Sequence, residues 1–336
     1  MQFVYLMKHK VLNLYDENNK VESNKKDTIK NIDKKRKKTD KLYNYTIYKK
    51  LKSGFSGLVI KGYCKKKQKN IVIKFCSKKP HYLNELNSLR NLNHINIIKL
   101  YENIENYSGF VINEYISNSN LIIQEYANKG DLYEFLLNKK RLLSENICKK
   151  ISIQILSGLD YAFDKGISHR DIKLENIFIM NDGRIVIGDW GLSAKNTKDR
   201  YCSTSCGTLG YMAPEVICRQ LYKAEKNDVW SFGVTIFSLL IDLRPYKEPE
   251  KRQEVNNKFD FSWKDPWLEA ILDKKWNIYW ISLNRDCPRI KNISDDFKKM
   301  MEYVFEENQN NRITIKSLIK NNWFLNIKDE NIFDFI

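Results

Sequence analysis

The chain has 336 residues, of which 42% are hydrophobic and 12% aromatic, enough to bury one large core or two smaller ones. Its net charge of +17 brings polyanions into consideration; Lys and Asn are abundant along the whole length, however, and the excess is read as a solvated surface, with no nucleic-acid partner. Seven cysteines without a CxxC pair exclude a disulfide framework and a zinc ribbon, and no run approaches 18 apolar residues, so the expectation is a cytoplasmic or nuclear protein with reduced thiols and no membrane span.

Residues 1–41 read as a basic, disordered arm ending in the run Asp33-Lys34-Lys35-Arg36-Lys37-Lys38. From Tyr43 the texture changes. Short β-branched and aromatic runs predict strands over Tyr45–Leu51, Leu58–Tyr63, Asn70–Phe75, Ile97–Ile104 and Leu121–Gln124, with one helix, Leu83–Leu92, among them. Tyr107–Ser119 is read as a long polar connection. After Gly130 the apolar residues recur at three and four, which predicts helices over Leu132–Leu137, Glu145–Lys165, Val229–Leu240 and Asp295–Phe305. A strand-rich half followed by a helix-rich half points to an α+β fold of two lobes with a cleft between them. The lobes are expected at 42–126 and 127–324, with a short tail at 325–336. Four of the seven tryptophans, between Trp263 and Trp280, are expected to pack as core.

Several segments carry chemistry. Leu51-Lys52-Ser53-Gly54-Phe55-Ser56-Gly57-Leu58-Val59 is a glycine-containing hairpin, whose backbone can approach phosphates without a Cβ in the way. Ile71-Val72-Ile73-Lys74 is an apolar strand ending in lysine, and Glu85 is the sole acidic residue between Lys74 and His94. His169-Arg170-Asp171-Ile172-Lys173-Leu174-Glu175-Asn176 sets polar types at intervals that chance rarely produces. A hairpin, Phe178–Ile187, turns at Asn181-Asp182-Gly183 and is followed by Asp189-Trp190-Gly191. Then come Cys206-Gly207-Thr208, Met212-Ala213-Pro214-Glu215, Asp228-Val229-Trp230-Ser231-Phe232-Gly233 and, near the end, Arg312.

In this order, over about residues 45–324, the motifs resemble those of the eukaryotic protein kinases, Ser/Thr type, in particular the calcium/calmodulin- and AMP-activated-kinase-like group. The resemblance implies a bilobal kinase fold that transfers the γ-phosphate of Mg-ATP to Ser or Thr hydroxyls of protein substrates. It casts Asp171 as the base, Lys173 as the cation on the migrating phosphoryl group, Lys74 as the α/β-phosphate ligand and Glu85 as its partner. Asn176 and Asp189 would hold Mg²⁺. Around ATP it places Leu51, Gly54, Gly57, Val59 and Val72, then Gln124 as gatekeeper, Glu125 to Ala127 as hinge, Asp131 at the ribose, and Leu132 and Phe178 beside adenine. Leu89, Leu100, Trp190 and His169 would stack as a spine, Glu215 would pair with Arg312, and Asp228 would anchor the loop before Asp171.

By the same resemblance Lys173 and Thr208 select Ser/Thr acceptors, and Glu175 with Asp131 favours an arginine upstream of the acceptor. Thr204 would be phosphorylated by an activating kinase and paired with Arg170. The chain departs from the pattern at Lys52, which replaces the first glycine of the hairpin, at Val72 and Phe178, which add bulk beside adenine, and in the short interval from Lys74 to Glu85. These departures are what favour the alternative, a pseudokinase scaffold that binds nucleotide without turnover.

Overall fold

In the computed structural model the described residues are 41–54, 57–76, 78–138, 143–195, 201–247, 250–251, 261–262, 265–287, 290 and 292–328. The basic arm before residue 41, Phe55 and Ser56 of the hairpin, Trp263 and the end of the chain from residue 329 lie outside them.

Alternating apolar residues build the first lobe. Strands β1 (Lys41–Leu42), β2 (Tyr45–Gly54), β3 (Gly57–Cys64) and β4 (Lys69–Cys76) are followed by helix α1 (Lys79–Asn91) and strands β5 (Leu100–Val111) and β6 (Glu114–Glu125). The six strands form one antiparallel sheet in the order β1-β2-β3-β4-β6-β5. Because successive side chains leave a strand on opposite faces, Ile71, Ile73 and Phe75 of β4 join Ile60, Leu121 and Ile123 in a small core on one face. The other face sends Cys76 and Ile122 into the larger core that α1 shares with the second lobe.

Three expectations change here. Tyr107–Ser119 is not a connection but the outer part of the β5–β6 hairpin, closed by the two-residue turn Ile112–Asn113 with φ of 48° and 64°. One face of this ribbon, with Tyr107, Val111 and Ile116, packs on the small core, while Phe110 and Tyr115 on the other face stand in solvent. Phe110 opposes Tyr115 across the solvent face, with ring centroids 5.2 Å apart, so apolar residues occupy both faces and blur the alternation of a strand pattern. Ile97 is outside the strand proper and makes a single parallel bridge to Ile187. The helix expected from Leu83 begins at Lys79, with Pro80 in its first turn, where a missing N–H costs nothing.

The second lobe is helical. Helix α2 (Leu132–Asn138) precedes α3 (Glu145–Asp164), which Ser144 caps by accepting from Ile147 N and which buries Ile147, Ile151, Ile155 and Leu159 at intervals of four. Short strands follow: β7 (Ile167–Ser168), β8 (Ile177–Ile179), β9 (Ile185–Ile187) and β10 (Ala194–Lys195), with β8 paired to β9 in the expected hairpin and β10 to β7. After α4 (Pro214–Ile217) comes α5 (Ala224–Ile241), whose residues are all buried, the polar first turn Glu225–Asp228 included, and which is predominantly apolar from Val229 on as it runs through the lobe. Strands β11 (Glu250–Lys251) and β12 (Phe261–Ser262) pair, and α6 (Pro266–Leu272), α7 (Trp276–Asp286), α8 (Asp295–Val304) and α9 (Ile315–Leu318) complete the lobe. Trp267, Trp276 and Trp280 are partly buried against the core, in keeping with the core expectation.

One buried ion pair ties α4 to the end of the domain. The Arg312 guanidinium, fully buried, donates to both oxygens of Glu215 at 2.6 and 2.9 Å and to the carbonyls of Lys226, Glu306 and Glu307, with its carbon 4.9 Å from the centre of the Trp230 ring. Its donors are all used, so removing the arginine strands a buried carboxylate. Arg312→Leu should cost about 3–5 kcal/mol of unfolding free energy in urea titrations, and a loss below about 1 kcal/mol would show the pair to be dispensable.

Candidate active site

The loop from His169 to Asn176 hangs on α5. Asp228 accepts from the backbone N–H groups of His169 and Arg170, both at 2.7 Å, and burial pushes its carboxyl up to about 7 against these two donors. Arg170 is held at φ 67°, a left-handed backbone that a non-glycine residue keeps only when its surroundings impose it. The His169 ring is fully buried, and burial lowers its pKa, which keeps the imidazole neutral. Nδ1 accepts from Asp171 N at 3.2 Å, which leaves Nε2 to donate to Gly188 O at 2.9 Å. The ring meets Trp190 edge-on with centroids 4.6 Å apart, the contact expected of the spine, and Leu89 is buried nearby in the same core.

Asp171 sits at the centre of a closed set of contacts. Oδ1 accepts from Thr208 Oγ1 at 2.7 Å, and Oδ2 accepts from Lys173 Nζ at 2.8 Å and Asn176 Nδ2 at 3.1 Å. Lys173 Nζ also reaches Thr208 Oγ1 at 2.7 Å, and Asn176 Nδ2 donates to Asp171 O at 2.8 Å. The Asn176 amide nitrogen is thus fully committed, which frees its oxygen. Four residues from two loops are brought together that lie up to 37 positions apart in the chain.

A second cluster lies across the cleft. Lys74, only 7% exposed, places Nζ 2.7 Å from Glu85 Oε2 and 2.6 Å from Asp189 Oδ1. Burial works against the lysine's charge, but the two carboxylates outweigh it and raise its pKa. Burial likewise opposes the Asp189 charge, and Lys74 overcomes it, holding that carboxyl down at about 2. Despite the short interval to Lys74, α1 thus stands with Glu85 on the lysine. Lys74, Glu85, Asp189, Asp171, Lys173 and Thr208 all line one cavity of about 300 Å³. Among the described residues no three His, Cys, Asp or Glu side chains group as a metal cage.

Beyond this cavity the sheet and β8 form the rest of the cleft. Val72 is paired with Gln124, whose Oε1 is buried without a partner. Phe178 pairs with Val186 and bridges to Asp131, and a Cβ at Gly188 would come within 2.7 Å of its ring, so the bulk of Phe178 is taken up by the glycine. Asp131 Oδ1 accepts from Glu134 N at 2.8 Å and so caps α2. Glu125 accepts from Arg184 at 3.3 Å, and Ala127 packs against the large core. Leu51 lies on β2 at the hairpin. A register shift between Lys50 and Lys52 leaves it without a strand partner and 39% exposed.

Thr204 is exposed, and its carbonyl accepts from Tyr222 OH at 2.9 Å. Arg170 does not reach the Thr204 side chain. Its guanidinium donates to Leu192 O and Ser193 O and, at 3.3 Å, to Tyr222 OH. Tyr222, which links the two, carries no sequence signal; it is placed by its backbone bridge to Cys202. Glu175 is half-buried, with Oε2 unpaired.

The sequence profile of the family described as "protein kinase domain" matches residues 45–324. The chain belongs to that family. Curated relatives include the Arabidopsis thaliana "Serine/threonine-protein kinase SRK2I", 33% identical over 208 residues, covering 61% of this chain and 52% of the relative. Another is the "CBL-interacting serine/threonine-protein kinase 20" of the same plant, 31% identical over 204 residues, covering 60% of this chain and 40% of the relative. The match therefore spans about half, or less, of the length of these relatives. The kinase domain has the bilobal α+β architecture that the resemblance implied, and no helix among its described residues is long and apolar enough to cross a membrane.

The kinase domain's Asp131 yields a test by pH. Burial raises its carboxyl to about 6, above the value of about 3.9 expected in the unfolded chain. A raised folded value means that stability is full below about pH 4 and is lost as pH rises through about 6. Asp131→Asn keeps the cap but not the charge. Its urea midpoint relative to wild type should rise between about pH 4 and 6 and then level off; a difference independent of pH would show that burial does not oppose the charge.

Proposed function

We propose that this chain is an ATP-dependent protein serine/threonine kinase, with lobes at 42–126 and 127–324 and Asp171 as the base that receives the acceptor's hydroxyl proton. The observation that carries this reading is the placement of Asp171, with Lys173, Thr208 and Asn176 on its carboxylate, on the same cavity as the Lys74–Glu85–Asp189 cluster. Names of the relatives support the Ser/Thr class.

The residues present fit Mg-ATP. Asn176 offers a free amide oxygen, and the Asp189 side chain is 34% exposed with its second oxygen not engaged by Lys74. Two hard oxygens suit Mg²⁺, which usually takes one or two protein ligands and completes its shell with phosphate and water. The unpaired Gln124 Oε1 at the back of the cleft offers an acceptor to an amino-bearing base. When bound, Mg²⁺ would neutralise charge on the β- and γ-phosphates.

The protein's own groups then have distinct tasks. Lys74, oriented by Glu85, binds the α- and β-phosphates. Asp171 orients a Ser or Thr hydroxyl and takes its proton, while Lys173 meets the charge on the transferring phosphoryl group. Thr208, donating to Asp171 and accepting from Lys173, keeps the two in register. The unpaired Glu175 oxygen supports a basic residue upstream of the acceptor. Phosphorylation of Thr204 would bring charge beside Tyr222 and draw Arg170 from carbonyls it now shares.

Transfer of labelled γ-phosphate to a Ser/Thr peptide library tests this reading. Asp171→Asn should lower the rate about 10²–10⁴-fold with Mg-ATP affinity retained. A wild-type chain that binds Mg-ATP but transfers nothing would favour the scaffold. Thr204→Ala should lower the activity of enzyme pretreated with an activating kinase; equal activity in both forms would remove Thr204 from the account.

A further inference from the structure

Lys52 replaces the first glycine of the hairpin, and its position in the sheet shows where it points. β2 pairs with β3 so that Lys52 stands opposite Val59, and β3 pairs with β4 so that Val59 stands opposite Lys74. Directly opposed residues of antiparallel strands project from the same face, and neighbouring strands lie about 4.8 Å apart. Lys52, Val59 and Lys74 therefore form one row on the face from which Lys74 reaches Glu85 and Asp189. Lys74 is buried at the inner end of the row, and Lys52 is exposed at the outer end.

The opposite wall of the cleft at that end is Asp131, fixed by its bridge to Phe178 and its cap on α2. The positive charge of Lys52 is felt at the Asp131 carboxyl, where it works against the effect of burial. Lys52 thus lies on the cleft face of the sheet at its outer end, near the wall expected to meet the ribose and in one row with Lys74 of the cluster expected to meet the phosphates. Lys74 is already shared by two carboxylates, so the inner end of the row has little positive charge to spare.

We propose that Lys52 is a nucleotide-binding residue that closes over the cleft mouth and supplies a cation to the phosphates of the bound nucleoside triphosphate. It stands in for the close backbone approach that a glycine at this position would allow. This inference rests on the ATP-binding reading above. A charge contact of this kind acts on phosphates and leaves the nucleoside untouched, which separates it from a lysine that merely blocks the entrance.

The test compares the dissociation constants of Mg-ATP and adenosine for the wild-type chain, Lys52→Met and Lys52→Arg by titration calorimetry. Lys52→Met, which keeps the length of the side chain but not its charge, should weaken Mg-ATP about three- to tenfold, the effect of one partly screened ion contact. Adenosine affinity should not change, Lys52→Arg should stay near wild type, and the loss in Lys52→Met should shrink at high salt. Unchanged or tighter Mg-ATP binding by Lys52→Met would overturn the proposal, and tighter binding of both ligands would identify Lys52 as an obstruction. A wild-type chain that binds no Mg-ATP would instead overturn the nucleotide reading itself. Because Lys52 is exposed, matching urea midpoints are expected for all three proteins.

Discussion

The geometry of the cleft depends on a single buried cation. Lys74 leaves β4 of the first lobe and ends between Glu85 of α1 and Asp189 of the loop after β9 in the second lobe. A lysine this deeply buried keeps its charge because the two carboxylates outweigh burial; in return it holds Asp189 low, whereas at Glu85 burial outweighs it and raises the carboxyl. β4, α1 and the loop after β9, the last 115 positions from Lys74, are therefore held in one arrangement. The position of α1, which the short interval after Lys74 left open, follows from it.

The second lobe uses the same device at Asp228 and at Arg312. Asp228 fixes the backbone of His169 and Arg170, and the neutral His169 passes that order on to Asp171 N and Gly188 O. Arg312 joins Glu215 to the carbonyls around α8 and α5. In each case a buried ionisable group is hydrogen-bonded, and breaking it from one side leaves an unpaired group. The polar skeleton thus sets the loops, while the apolar core beneath them, from Ile147 to Phe324, supplies the bulk of burial.

Much of this was legible in the chain. Period-two and period-four patterns located most strands and helices, because those elements each press one face against a core. The outer part of the β5–β6 hairpin was read as a connection because apolar residues occupy both of its faces: Val111 is buried in the small core while Phe110 and Tyr115 stand in solvent. The register shift between Lys50 and Lys52, which leaves Leu51 without a strand partner, is not encoded in local sequence. Tyr222 was missed altogether, since a tyrosine whose role is to join Arg170 to the Thr204 carbonyl has no motif of its own.

The sequence by itself determined the chemistry on offer: which residues carry carboxylates, amides and ammonium groups, in what order, and on loops of what kind. Asp171, Lys173 and Asn176 are separated by a few positions, so their spacing alone already places them together. Only the tertiary structure decided the contacts that close across many residues, because sheet register and lobe packing are collective properties. It was the register that set Lys52, Val59 and Lys74 in one row, and the packing of α1 against the second lobe that delivered Glu85 and Asp189 to the same ammonium.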